Sequence, residues 1–369
     1  LVNKALISRK RIYFDWLSFG LIIALAFIGL LFVWSATYKP DAPFSIFFKK
    51  QFIGIVTGIV IYLICTFADY RILIRWGYFC YFLVLGLLLF TIIKGSIGMG
   101  AQRWIDLGFI KAQPSELAKL LLPAFIGYYL FTKNEAFIFK NSSFIPIIIV
   151  VLISAILILK QPDLGTALIL IGSGFLCIWI AGLSKYWIFS GAFIVLLSTP
   201  ILWHTLKPYQ RTRIAVFLGQ GEVRKERYQI EQSTIAIGSG GITGKGFLHG
   251  TQNKLQFLPE SRTDFIFSVI CEERGLIGAL VVLLLYIFLF GHLFLSITHL
   301  PSVWGQLFAA GFIIHVVLST IINIGMVLGL LPIVGIPLPL ISYGISNLWI
   351  TFASFGICQS ILMHCHYRS

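Results

Sequence analysis

The chain has 369 residues, of which 58% are hydrophobic and only 11% charged, and its formal net charge is +14. A soluble domain carries roughly 25% charged residues, so this chain cannot cover a globule with polar surface and must be solvated by lipid. The apolar bulk argues against a nucleic-acid-binding domain, and the basic excess points to anionic headgroups or a phosphate-bearing substrate.

In chain order, apolar runs lie near 16–36, 47–67, 72–93, 113–131, 145–160, 165–183, 186–204, 272–298, 305–330 and 345–364. Runs of this kind cross a bilayer as helices, and together they make about ten spans. The runs are unbroken, whereas barrel strands would alternate apolar and polar residues. The fold class is therefore all-α: a polytopic membrane protein forming one domain over 1–369. The opening LVNKALISRKRIYFDW is basic and then apolar, like a signal peptide. The apolar run after it is long and lacks a clear small-residue cleavage site, so it reads as a retained first span. Lys4, Arg9, Lys10 and Arg11 lead a modest positive-inside bias that places both termini in the cytoplasm. The same topology puts one long loop, about 205–271, on the extracytoplasmic side. The six cysteines sit mostly in apolar runs without a CxxC pair and read as small buried hydrophobes.

Six stretches carry chemistry. In GAQRWIDLG (100–108), Arg103, Trp104 and Asp106 lie before the fourth run; an interfacial Trp is by itself a membrane-belt residue. QPSELAK (113–119) spaces Glu116 and Lys119 at i,i+3 on one helix face, which fits a structural or a functional ion pair equally. QPDLG at 161–165 echoes QPSE, as two helix starts would. The stretch 232–260 is rich in glycine and contains Lys245. It is either a flexible loop or a backbone cradle for phosphate oxygens, but not a nucleotide loop, because Ser239 and Gly246 break that pattern. Asp264, in FLPESRTDFIF, stands at the mouth of the eighth run. It is either an N-cap with Thr263 as the alternative or a general base whose carboxyl is raised by partial burial. Further on, GLLPIVGIPLPLISYGIS (329–346) breaks the helix at membrane depth, which is tolerated only inside protein or beside a cavity. His364, Cys365 and His366 are too close together for good metal ligation.

Taken together and in order, these motifs resemble the SEDS family (shape, elongation, division and sporulation proteins) over nearly the whole chain, with HGTQ…FLPE more like its cell-elongation branch. The sequence departs from the usual family pattern at Ile345, at Arg262 where His is usual, and over 217–229. The resemblance implies a bacterial inner-membrane peptidoglycan glycosyltransferase acting on lipid II, a disaccharide-peptide on undecaprenyl diphosphate. It further implies a class B penicillin-binding protein partner among other elongation-complex proteins. The family's essential loop aspartate matches Asp264, its loop tryptophan Trp104, and its Glu/Lys pair Glu116 and Lys119.

On this reading Asp264 takes the proton of an attacking sugar hydroxyl while the lipid diphosphate leaves, inverting the anomeric centre. Arg103, Lys111, Arg211, Arg213, Lys245 and Arg262 are the candidate cations for the growing diphosphate charge, with a divalent cation, magnesium or manganese, as an optional addition. Arg211 and Arg213 suit bidentate phosphate contacts best. Two other functions are carried beside this one: a flippase moving the same lipid, and a non-catalytic scaffold of the elongation machinery.

Overall fold

The computed structural model describes residues 14–98, 101–106, 111–132, 141–187, 190–191, 208–217, 224–254 and 257–365. The chain enters α1 (Trp16–Thr37) through Asp15, which caps it by accepting from Ser18 N–H. Ser45 and Asp69 cap α2 (Ile46–Phe67) and α3 (Tyr70–Lys94) in the same way. Pro114 opens α4 (Pro114–Phe131), where its missing N–H costs nothing. Then follow α5 (Ile145–Lys160), α6 (Leu164–Ile180), α7 (Pro208–Phe217), α8 (Arg224–Gly240), the short α9 (Thr251–Lys254), α10 (Ile266–Thr298), α11 (Val303–Val327) and α12 (Ile345–Cys365).

Six of these helices are long and apolar enough to span a membrane, and α5 and α6 are shorter apolar helices. The chain is a multi-pass membrane protein. Many large apolar side chains on α2, α3 and α10 face outward, as lipid-facing helices require, while α11 and α12 are largely enclosed. The seventh run, 186–204, lies mostly outside the described residues.

Three features differ from the sequence reading. First, residues between the third and fourth runs form a small antiparallel sheet, β1 (Ser96–Gly98), β2 (Ala101–Asp106) and β3 (Lys111–Ala112), within the otherwise helical fold. Second, the segment 205–271 is not an open loop: α7 and α8 lie in it, and α8 packs along α10. Its polar, charged helices lacked the apolar length by which the spans were recognised. Third, α10 starts six residues before the expected boundary at 272 and is broken at Gly275 (φ 62°, ψ −157°).

That break explains the glycines upstream. A helix interrupted near the membrane leaves backbone groups without partners, and each must find one inside the protein. The segment 240–246 supplies them. Lys245 N–H and Gly246 N–H donate to the carbonyls of Glu272 and Glu273, while Leu276 N–H and Ile277 N–H donate to Gly241 and Ile242. The two backbones approach so closely that a Cβ on Gly244 would lie 2.2 Å from the Glu273 carbonyl oxygen. The glycine richness therefore serves this backbone seam, rather than a free loop.

Helix direction follows from side-chain contacts. Asp15 at the start of α1 meets His292 near the end of α10 at 2.8 Å, and Ser35 near the end of α1 donates to Glu273 near the start of α10. The two helices are antiparallel, and the start of α10 lies on the membrane face opposite the start of α1.

Candidate active site

Asp264 sits in the turn 257–265 just ahead of α10 and is partly buried. It does not cap the helix: the N-cap is Phe265, with no side-chain hydrogen bond. Its surroundings are built by three segments. Asn323, fully buried in α11, donates from one Nδ2 to both the Asp264 carbonyl (2.8 Å) and the Ile336 carbonyl (2.7 Å). Ser342 Oγ donates to the Thr263 carbonyl and accepts from Leu338 N–H at 2.8 Å, and Tyr343 N–H donates to the Arg262 carbonyl at 2.9 Å. The turn bearing Asp264 is thus sewn to the re-entrant segment 333–343, most of which is buried. Gly335, at φ +74°, faces the carboxylate: a Cβ there would stand 3.5 Å from Asp264 Oδ2.

The electrostatics fit a proton acceptor. Burial, and then the Glu260 charge, push the Asp264 carboxyl up to about 7; Arg213 pulls it back, Asp163 adds to the rise, and the Thr263 hydrogen bond lowers it. Thr263 Oγ1 also donates to a Glu260 carboxylate oxygen at 3.0 Å, which fixes that second acid beside the first. A carboxyl ordinarily near 3.9 is therefore held in the range where it both accepts and releases a proton at neutral pH.

Asp163 brings a second polar cluster to the same face. It caps α6, accepting from Thr166 N–H (3.1 Å) and Thr166 Oγ1 (2.9 Å), and it accepts from Gln113 Nε2 at 2.9 Å. The QPSE and QPDLG echoes are therefore neighbouring helix starts. Arg103, in β2, donates from Nε to the Gln161 carbonyl at 2.7 Å and from Nη2 to the Pro162 carbonyl, with Nη1 4.0 Å from Asp163 Oδ2. Gly165 packs against Val334 and Ile336 of the re-entrant segment.

The predicted site residues divide into groups. Asp264, Arg213 and, through Asp163, Arg103 act on one another electrostatically. Arg262 lies next to them in sequence, its guanidinium 4.1 Å above the Phe47 ring of α2. Arg211 is partly buried on the same helix as Arg213. Trp104 is partly buried in β2, where its carbonyl accepts from Ser96 Oγ. The Lys111 side chain lies outside the described residues. Glu116 and Lys119 form a buried ion pair at 2.8 Å within α4, with Asn347 Nδ2 donating to Glu116 at 3.2 Å. Lys245 lies with Glu272 rather than with Asp264. Its ammonium is 2.7 Å from Glu272 Oε1, which also accepts from Thr251 N–H, Thr251 Oγ1 and Gln252 N–H. Among the described residues no group of three or more His, Cys, Asp or Glu side chains stands where it could hold a metal ion.

The sequence pattern of the FtsW/RodA/SpoVE family, described as "Cell cycle protein", matches residues 15–367. This chain belongs to that family. The Escherichia coli K12 protein named "Peptidoglycan glycosyltransferase MrdB" is 37% identical over 359 residues, covering 96% of this chain and 95% of its own. "Peptidoglycan glycosyltransferase RodA" of Treponema pallidum is 30% identical, covering 94% and 97%. The solved Thermus thermophilus "Rod shape determining protein RodA" is 26% identical, with a TM-score of 0.70 over 97% of this chain and 99% of its own. A chain from a structure titled "Structural coordination of polymerization and crosslinking by a peptidoglycan synthase complex" is 28% identical, with a TM-score of 0.81 over 96% of this chain and 99% of its own.

Within this FtsW/RodA/SpoVE fold, sequence reasoning passed over Asn323, Asp163, Gln113, Glu260 and Ser342. Asp163 and Gln113 stood in the echoing motifs, and a polar residue late in an apolar run marks Asn323. Ser342 carried no such mark, because a small hydroxyl in a Pro/Gly-rich stretch reads as ordinary turn chemistry.

Proposed function

We propose that this chain polymerises lipid II into glycan strands during cell elongation, with Asp264 as general base. The observation that carries the reading is the placement of Asp264 at the entrance of α10, its backbone pinned by Asn323 and its carboxylate facing Gly335, with burial and Glu260 pushing that carboxyl up to about 7. The names of its relatives support the same activity. The face bearing Asp264 is the extracytoplasmic one, and both termini are cytoplasmic.

A sugar hydroxyl is a weak nucleophile. As its oxygen forms a bond to the anomeric carbon of a second glycan, the bond from that carbon to the diphosphate oxygen breaks, and Asp264 takes the hydroxyl proton. One displacement converts an α-linked diphosphate into a β-glycosidic bond. The leaving diphosphate gains negative charge and needs no proton. Arg213, with Arg211, Arg262 and Arg103 nearby in the fold or sequence, supplies the cationic groups that favour that charge. Glu260 keeps the base protonatable near neutrality. Asn323 and Ser342 hold its backbone against the re-entrant wall, so the carboxylate need not reorganise during reaction.

The partner we assign is a class B penicillin-binding protein, in line with the coordination of polymerisation and crosslinking named for the similar complex. The test is polymerisation of purified lipid II in detergent by the chain with its partner. Glycan strands should form and should vanish with Asp264→Asn in folded protein. Turnover of that variant at the wild-type rate would remove the base assignment. Lipid movement across sealed vesicles without polymerisation would favour the flippase. Rod shape sustained by Asp264→Ala would favour the scaffold.

A further inference from the structure

On the face opposite Asp264 lies a cavity of about 700 Å³. The start of α3, the end of α4, the α10–α11 connection and the end of α12 frame it. Its floor is apolar and aromatic, from Ile74, Tyr128, Trp304 and Phe308, and runs to Phe131, which is 62% exposed. Its polar edge carries Arg71, Arg75 and His364, together with Thr132 and Ser302. No carboxylate is among the described residues that line it.

The two arginines are four residues apart on α3 and so project to one side. Arg71 crosses the Tyr70 ring at 5.7 Å, and its backbone N–H is held by Asp69 Oδ1 at 2.9 Å. Arg75 is exposed, and among the described residues it has no carboxylate partner. Trp304 packs on Phe131 and Phe308. Apolar residues of α3 next to the pocket, Ile72 and Trp76, are exposed toward lipid. A guanidinium pair at the edge of a greasy, ring-lined cavity, continuous with the lipid-facing surface, matches one ligand chemistry: a phosphate head on acyl chains.

We propose that this cavity is a binding site for an anionic phospholipid of the leaflet on the side of the chain termini. Arg71 and Arg75 hold the phosphate, Thr132 and Ser302 lie within the headgroup region, and an acyl chain lies over Tyr128, Trp304 and Phe308. The site is separated from Asp264 by the thickness of the bundle, so it stands or falls independently of the polymerase reading.

The test uses the full chain reconstituted in vesicles of phosphatidylcholine and phosphatidylglycerol at 3:1, extracted gently and weighed with its bound lipids by native mass spectrometry. The wild type should retain phosphatidylglycerol in preference to phosphatidylcholine. Arg71→Gln with Arg75→Gln should weaken that preference roughly 30-fold, equivalent to ~2 kcal/mol at 1.4 kcal/mol per decade. Arg75→Gln alone, at an exposed position, should lose part of it, and Arg71→Lys with Arg75→Lys should keep most of it. Lys185→Gln, an exposed cation outside the cavity, should leave it intact. The proposal is overturned by any of four results: no preference in the wild type, preference retained in the double glutamine variant, equal loss in Lys185→Gln, or full competition by soluble glycerol phosphate, which would mark a soluble-anion site.

Discussion

Replacing Asp264 by asparagine should move activity and stability in opposite directions. The wild-type carboxyl is raised from the ordinary value near 3.9 to about 7 in the fold. Between about pH 4 and 7 the native state keeps a proton that the unfolded chain has lost. Wild-type stability therefore falls as pH rises through that window and is level above it. A rise of that size is worth ~4 kcal/mol at 1.36 kcal/mol per tenfold change in proton affinity, and the partial exposure of the group reduces this to about 2–4 kcal/mol. Asparagine is neutral throughout and escapes this penalty. The variant should melt above the wild type at pH 8.5, with the gap closing as pH falls toward 4, while polymer formation drops about 10²–10⁴-fold. Thermal unfolding of detergent-purified protein across pH, read beside strand synthesis from lipid II, gives both numbers. A variant that melts below the wild type at pH 8.5 would mean that the carboxylate is a stabilising charge, contrary to its burial. That result would refute the poised-base reasoning even if activity were lost.

The neighbours of Asp264 should shift the acidic limb of the pH–rate profile in opposite senses. Glu260→Gln removes a charge that raises the carboxyl, so the limb moves to lower pH; Arg213→Met removes one that lowers it, so the limb moves up and lipid II binding weakens. Asn323→Leu leaves the Asp264 and Ile336 carbonyls without their shared donor. It should cost about 1–3 kcal/mol in thermal stability and depress turnover more than substrate affinity. Lys119→Met strands Glu116 in the interior and should destabilise by about 3–5 kcal/mol, with the companion Glu116→Leu recovering part of the loss in the double variant. Lys245→Met should lower melting temperature by removing a donor from the crowded Glu272 carboxylate while leaving the pH–rate limb in place.

Apolar length announced most of the helices, because lipid imposes one rule on every span. It could not announce α7 and α8, whose charged faces carry no such length, nor the break at Gly275, which looks like any small residue in a run. Asp264 stood out as a candidate because an acid at the edge of a span is rare in a chain with 11% charge. Its poise was less apparent, since that depends on Glu260 and Asp163 arriving from different distances along the chain. Lys245 was misleading for a related reason. Glycines around a lysine are compatible with phosphate binding, and only the fold reveals that Glu272 already takes the ammonium.

The break in α10 and the position of Asp264 are connected. Residues 266–274 form a short helix tied on one flank to 241–248 by main-chain bonds and by Glu273, which accepts from Ser35 and Leu248 N–H. On another flank Ser268 meets Ser233 of α8 at 2.8 Å, and Ser233 bonds the Val327 carbonyl at the end of α11. Asp264 is two residues upstream of this helix and is pinned by Asn323 from the same α11. Asp264, the proposed base, therefore rests on a segment fastened at both ends to elements that do not otherwise follow one another in the chain. An uninterrupted α10 would leave the 240–246 backbone without its partners and would free the turn on which the carboxylate sits. The cost of the kink and of the buried glutamates is offset by the bonds that the 240–251 segment makes to them, and the same bonds hold the turn bearing Asp264 in one place, as the proposed general-base role requires.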